Sequence, residues 1–170
     1  LRRPYDLNRL ELRICDLMVD PIALLAVMAL LEARLIQLIH DPSLDPLEIS
    51  TIPANNRSAE LIALTDANEV AAAESSLDAQ LRHWQDGRLI LARDWIEELY
   101  QEVWPVAKKH GFSCFLSPIK KILREGNTAS QWLQLHAVGV DPRQVMIQAI
   151  QSMAEQESLL EDQLCQSLVP

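Results

Sequence analysis

A glutamate and an arginine near the start of the chain have the residue types and the spacing of a phosphate-handling site. Glu11 and Arg13 are two residues apart, and on a β-strand such residues share one face, roughly 6–7 Å apart. A carboxylate is the kind of oxygen ligand that Mg²⁺ prefers, and a guanidinium can hold phosphate through two parallel donors. The pair therefore suits phosphoryl transfer, which depends on positioning and charge neutralisation. Spacing alone leaves open a solvated strand face with a weak ion pair, worth about 0–1 kcal/mol.

The surrounding pattern predicts a strand over 9–16 and a helix over 20–40. Apolar residues alternate with mostly charged ones in the first stretch, which is the period of a half-buried strand. Asp20 and Pro21 are typical of a helix N-cap and first helical position. The first half of the helix is apolar nearly all round, which predicts deep burial, with the apolar face of the strand lying on it. The apolar strand positions are Leu10, Leu12 and Ile14.

The rest of the chain is predicted to be mainly helical. We expect a Pro-rich loop over 41–56 and a helical region over 57–170, including further helical turns over 76–84. A helix beginning at Asp94 should kink or break at Pro105. The predicted fold class is thus mainly α, with one strong N-terminal β-strand. Because one strand cannot make a sheet, either a second copy of the chain pairs with it, forming a homo-oligomer, or its partner strands lie upstream.

Composition excludes several classes of protein. The 170-residue chain is 49% hydrophobic and has a net charge of −9, which argues against a disordered tail and against a binder of nucleic-acid backbones. The longest uncharged apolar stretch, Pro21–Leu31, is shorter than the roughly 18 residues that a membrane span needs, so no span is predicted. Three widely spaced cysteines predict reduced thiols and a cytoplasmic protein. The first residue is Leu1, which suggests a piece of a longer polypeptide.

The histidines carry no metal-ligand spacing, so we expect them at the surface or at helix ends. These are His40, His83, His110 and His136.

The segment around Glu11 and Arg13 resembles a known family. It reads R-P-Y-D-L-N-R-L-E-L-R-I-C-D-L-M-V-D-P-I-A-L-L-A-V-M-A-L-L-E-A-R-L and is similar to the C-terminal strand–helix unit of bacterial glutamate–cysteine ligases, closest to the cyanobacterial type. The similarity continues through Asn68-Glu69, the stretch 76–79 with Asp86-Gly87, Trp95-Ile96-Glu97 and the stretch 126–129. Most of the chain therefore resembles the C-terminal portion of a single ligase catalytic domain, with a fold similar to that of glutamine synthetase.

The resemblance implies an ATP-dependent ligation of the γ-carboxylate of L-glutamate to the amine of L-cysteine, the first step of glutathione biosynthesis. It implies that Glu11 binds Mg²⁺ beside ATP and that Arg13 faces the transferred phosphoryl group. Asp16 has no such role and is expected to cap or orient the strand end. The other metal carboxylates and the amino-acid pockets would lie upstream, so we expect the chain to be inactive alone. Two alternatives stay open: a sibling carboxylate–amine ligase with another amine acceptor, and a non-catalytic helical interaction module.

Overall fold

The structure, a computed structural model, describes residues 18–167, with side chains as far as residue 160. Within this range the chain is mostly helical and has one two-stranded antiparallel sheet. In chain order the elements are α1 (Pro21–His40), α2 (Pro46–Ile49), α3 (Arg57–Ser75), β1 (Gln80–Arg82), β2 (Leu89–Leu91), α4 (Ala92–Lys109), α5 (Ile119–Glu125), α6 (Thr128–Ala137) and α7 (Pro142–Ser167). Short 3-10 turns lie at 42–44, 76–78 and 113–116.

Four helices, α1, α2, α3 and α6, begin next to a residue whose side chain caps their first turn. The Asp20 carboxylate accepts the backbone N–H groups of Ile22 and Ala23 at 2.8 and 3.2 Å, which satisfies donors that the first turn of α1 leaves free. Asn56 and Asn127 cap α3 and α6 in the same way. The predicted helix over 20–40 is therefore confirmed.

The core lies where α1 crosses α4, α5 and the turn at 113–116. One face of α1, which we call the alanine face, consists of Ala26, Ala29 and Ala33, and all three are buried. Small side chains let α4 approach closely, so that Val103 and Leu116 are fully buried against this face. Tyr100, Ala107 and Ile119 complete the buried cluster. Dense packing of small residues, not a layer of leucines, holds this core together.

The predicted deep burial of the first half of helix 20–40 is wrong for the described part of the chain. Leu24, Leu25 and Met28 are 44%, 42% and 52% exposed. An apolar helix must bury one side against its neighbours, but sequence periodicity cannot say which side when every side is apolar. The alanine side packs on α4, because small side chains permit the closest helix–helix contact.

The predicted helical region over 57–170 is interrupted by a β-hairpin. β1 and β2 pair antiparallel, with Leu81 opposite Ile90, so the sheet in the described part of the chain is not N-terminal. The helical turns expected over 76–84 end at residue 78. A turn at 84–86 joins the two strands, and Gly87, which follows it, has a φ of +74° that favours glycine. The predicted strand over 9–16 lies outside the described residues.

Two further boundaries differ from prediction. The Pro-rich loop over 41–56 contains a 3-10 turn and the short helix α2, because Asp41 and Asp45 each cap a turn that a proline begins. α4 begins at Ala92, not at Asp94, and it continues through Pro105 as one helix. The hairpin supplies the reason for the early start, since β2 leads directly into the helix.

By length and composition, α1 could cross a membrane, and 22% of its most apolar stretch is buried. The prediction of no membrane span considers only the uncharged stretch Pro21–Leu31. The helix itself is longer, because it continues past Glu32 and Arg34 to His40. Core helices of soluble proteins and signal sequences near an N-terminus meet the same criterion, so the finding is weak evidence for a membrane segment.

Candidate functional site

The sequence-predicted site residues lie just before the described part of the chain. Glu11, Arg13 and Asp16 fall outside it, so their predicted roles stay predictions. The chain enters α1 at Asp20, whose carboxylate is fixed by its two cap hydrogen bonds. The start of α1 is therefore the described element that is nearest in sequence to the predicted site.

A cleft of about 260 Å³ lies beside this start, between α1, α5 and α7. Asp20 and Lys121 contribute charges to its lining, and Ile22 and Leu159 contribute apolar surface. The side-chain carbonyl of Gln156 is buried there and has no hydrogen-bond partner among the described residues. The cleft thus combines an apolar wall with a few polar groups near the helix N-terminus.

A cluster of titratable groups surrounds His83, at the turn of the hairpin. The imidazole is buried and lies between two indoles, with ring centroids 5.6 Å from Trp84 and 4.8 Å from Trp95. Its Nδ1 accepts the backbone N–H of Gln85 at 3.2 Å, so the neutral ring carries its proton on Nε2. The expectation that the histidines lie at the surface or at helix ends is therefore wrong for His83.

Burial lowers the pKa of His83 below 6.5, and the positive charge of Arg88 lowers it further. The carboxylates of Asp86, Glu98 and Glu102 oppose this effect. The Asp86 carboxylate lies 3.7 Å from Nδ1, and the backbone N–H of Arg88 lowers the pKa of Asp86 by donating to it. His83 is thus held neutral by its desolvated position in the fold.

The arrangement around His83 is suited to holding the hairpin. Arg88 is paired with both Asp86 and Glu98, so its charge is balanced and its side chain joins the turn to α4. The neutral imidazole accepts a backbone hydrogen bond that closes the same turn. Arg88 and the Nδ1 atom of His83 are already engaged in these bonds. They are the groups that a phosphate or carboxylate ligand would need, so the cluster has a structural role.

A second cleft, of about 370 Å³, lies between α3, β1 and α4. Its wall is apolar and includes Leu81 and Trp95. At its rim the Asn127 amide donates to the Ser76 hydroxyl at 2.8 Å, and Ser76 has a φ of +52°, a left-handed backbone unusual for a residue with a Cβ. The hydrogen bond ties α6 to the end of α3 and holds this conformation.

No group of three or more metal-ligand side chains occurs within residues 18–160. The cations of α5 point to solvent or to nearby partners: Lys120 lies 5.1 Å from the Tyr100 ring centroid, and Arg124 pairs with Glu125. Cys114 is an exposed free thiol. The described part therefore supplies no ready metal site of its own.

Asn68 of α3 bonds to the neighbouring hairpin through its side-chain amide. Its amide donates to the Arg82 carbonyl and accepts the Arg82 N–H, both at 2.8 Å. The side chain thus pairs with the outer edge of β1 as a neighbouring strand would. The sequence analysis also did not predict the cluster around His83. The one signal in the sequence was that His83 lies four residues before Gly87, at a turn.

Comparison with known proteins assigns the family. The model of glutamate-cysteine ligase family 2 (GCS2) matches residues 2–158. No curated protein and no solved structure matches the chain. Since the family match extends over most of the 170 residues and includes the segment with Glu11 and Arg13, the chain belongs to glutamate-cysteine ligase family 2.

Proposed function

We propose that the chain is the C-terminal portion of an ATP-dependent glutamate–cysteine ligase and supplies part of its ATP and Mg²⁺ site. The observation that carries the proposal is the family match over 2–158, which includes the Glu11-x-Arg13 motif. The parent would have a glutamine synthetase-like fold, in which the strand over 9–16 joins an antiparallel sheet built from upstream strands. Its substrates would be the small molecules L-glutamate, L-cysteine and ATP, and it would act in the cytoplasm.

The proposed reaction has two steps. An oxygen of the glutamate γ-carboxylate attacks the γ-phosphorus of ATP, the bond to the β-phosphate oxygen breaks, and ADP leaves. The cysteine amine then attacks the carbonyl carbon of the γ-glutamyl phosphate, loses a proton and expels inorganic phosphate. Both steps move negative charge among phosphate oxygens, so cationic groups that face those oxygens lower the barrier.

Two residues of this chain have the chemistry for that task. Glu11 would hold Mg²⁺ through its carboxylate oxygens, the ligand type that this ion prefers, and the bound ion would neutralise phosphate charge. Arg13 would face the transferred phosphoryl group with its planar fork of donors. On a strand the two side chains share a face, whereas Leu12 between them points to the opposite face.

Three variants of the full-length parent test these roles. Glu11→Gln keeps the size but removes the charge, so the Mg²⁺ dependence should move to higher concentration while the fold persists. Arg13→Lys should lower kcat, because a point charge cannot replace the fork. The matched control, Leu12→Ala, should lower the melting temperature and leave the Mg²⁺ dependence unchanged. Steady-state kinetics against MgATP and free Mg²⁺, with melting curves, measure all three.

The outcomes separate the competing functions. Unchanged kcat and Mg²⁺ dependence in both Glu11→Gln and Arg13→Lys would make the pair a solvated strand face and favour an interaction module. Faster turnover with an amine other than L-cysteine would identify the parent as a sibling carboxylate–amine ligase. Turnover that requires L-cysteine, with a raised Mg²⁺ requirement in Glu11→Gln and a lowered kcat in Arg13→Lys, would support the proposal.

A further inference from the structure

The C-terminal ends of α1 and α4 bring two histidines together. α1 ends at His40, and His110 is the C-cap residue of α4. Their ring centroids are 6.4 Å apart, although the two residues are distant in the sequence, and both side chains are exposed. Ala33 and Ala107 are fully buried where the two helices pack, so the backbone that carries both imidazoles is held in place.

The hydrogen bonding of His40 leaves one of its ring nitrogens available. Nδ1 lies 2.8 Å from the carbonyl oxygen of Ile36. Because a carbonyl oxygen can only accept, Nδ1 carries the proton and donates it, and Nε2 of the neutral ring keeps its lone pair. Histidines that bind metal ions commonly donate the other ring N–H to a backbone carbonyl in this way, which fixes the orientation of the ring. His40 therefore already has the supporting hydrogen bond of a metal ligand.

The distance between the two rings is close to that of two ligands of one ion. With a metal–nitrogen bond of about 2.0–2.1 Å, each ring centroid lies about 3.2 Å from the ion, so two rings on a tetrahedral ion have centroids about 5.2 Å apart. A rotation of the exposed His110 side chain can close the remaining difference from the observed 6.4 Å. The backbone carbonyls at the C-terminal ends of both helices also favour a cation there.

We propose that His40 and His110 bind one divalent transition-metal ion, such as Zn²⁺, and that the bound ion clips α1 to α4. Imidazole nitrogen suits Zn²⁺, Cu²⁺ and Ni²⁺, whereas Mg²⁺ prefers oxygen ligands. Two side chains are fewer than the three-ligand groups that residues 18–160 lack, so water completes the coordination and the site closes only when the ion binds. The inference does not rest on the proposed function.

The neighbouring charges limit the strength of this binding. Lys108 and Lys109 directly precede His110 and are exposed, and their positive charges oppose a cation. We therefore expect the ion to be held more weakly than in a structural zinc site, which has four protein ligands. Such an ion would bind and leave reversibly, and the clip would respond to the concentration of the free metal.

Zinc titration of the full 170-residue chain tests the proposal. Thiols also bind zinc, so all three cysteines are replaced by serine in every protein compared. Isothermal titration calorimetry should detect one Zn²⁺ per chain, and His40→Gln or His110→Gln should weaken its binding at least about tenfold. The matched control is His136→Gln, because His136 is also exposed and lies in the last turn of a helix. This control should leave the affinity unchanged.

Two further measurements identify the ligands and the clip. Electron paramagnetic resonance of the Cu²⁺-loaded chain should show two coordinated nitrogens, and one in His40→Gln or His110→Gln. Saturating Zn²⁺ should raise the melting temperature, because the ion binds the folded pair, and each of these variants should lose most of the rise. Circular dichroism shows whether each variant folds.

Four results would overturn the proposal. The first is no binding at about 1 mM Zn²⁺, and the second is an equal affinity in the unsubstituted chain and in both His40→Gln and His110→Gln. The third is an equal loss in His136→Gln, which would show general binding to exposed histidines. The fourth is a Zn²⁺-dependent dimer in sedimentation velocity, which would place the two ligands on different copies of the chain. None of these measurements involves ATP or glutamate, so the metal site can hold even if the Glu11 and Arg13 kinetic test fails.

Discussion

At the scale of single residues, the buried imidazole of His83 makes the stability of the hairpin depend on pH. Its folded-state pKa lies below 6.5 because burial disfavours the charged ring. As pH falls through about 6.5, the unfolded chain therefore binds a proton before the folded chain does, and the free energy of unfolding decreases. The contribution is fully present above this pH and is lost as pH drops toward the folded-state pKa.

We expect the urea midpoint to be lower at about pH 5.5 than at about pH 7.5, and the difference to shrink in His83→Gln. Glutamine cannot titrate, and its side-chain oxygen can still accept a backbone hydrogen bond. The exposed His40, His110 and His136 remain in both proteins, so the comparison isolates His83. An equal pH dependence in the two proteins would show that His83 does not set it.

Asn68 stabilises the hairpin through two hydrogen bonds from its side chain to the backbone of Arg82. Replacing it with alanine removes both bonds to Arg82 and exposes the outer edge of β1. We expect Asn68→Ala to lower the free energy of unfolding by about 1–2 kcal/mol, since each net hydrogen bond contributes roughly 0.5–1.5 kcal/mol. Glu69→Ala, at the exposed neighbouring position, should change it by less than about 0.5 kcal/mol. Urea unfolding of both variants measures the two changes in the free energy of unfolding. Equal decreases would show that the Asn68 hydrogen bonds do not stabilise the hairpin.

At the scale of elements, the contact between α1 and α4 depends on small side chains. Ala33 is fully buried in that contact, so a larger side chain must displace α4 or adopt a strained rotamer. We expect Ala33→Leu to lower the free energy of unfolding by about 1–3 kcal/mol. Ala63→Leu provides the control, because Ala63 is exposed on α3 and the same substitution there meets no neighbouring helix.

Thermal or urea unfolding of the two leucine variants distinguishes packing from helix propensity. Alanine and leucine have similar propensities, so a loss at Ala33 without a loss at Ala63 assigns the effect to the α1–α4 contact. An unchanged midpoint in Ala33→Leu would mean that the alanine face is not the packed side of α1.

At the scale of the whole molecule, the described part of the chain contains helices, one hairpin and no metal-ligand cluster. The proposed reaction needs several carboxylates for Mg²⁺ and pockets for two amino acids. We therefore expect the purified 170-residue chain to release no ADP above background when given L-glutamate, L-cysteine and MgATP. Turnover at an ordinary enzyme rate of about 1–10³ s⁻¹ would contradict the view that the chain is part of a larger catalytic domain.

The sequence by itself determined the local features of this protein. The caps at Asp20, Asn56 and Asn127 act over a few residues, so the starts of α1, α3 and α6 could be predicted from residue type alone. The turn before Gly87 follows from the same short-range chemistry. Residue motifs also carried the resemblance to the ligase family, which the family match confirms.

Tertiary structure alone decided the features that depend on distant partners. The packed side of α1 was chosen by α4, because an all-apolar helix has no periodicity that marks one face. β1 became a strand because β2 and Asn68 satisfy its two edges, although its three residues carry too short a pattern to predict. His83 is buried because two tryptophans, one of them from α4, enclose it. In each case at least one deciding contact joins residues that are well separated in the chain, such as His83 and Trp95 or Asn68 and Arg82.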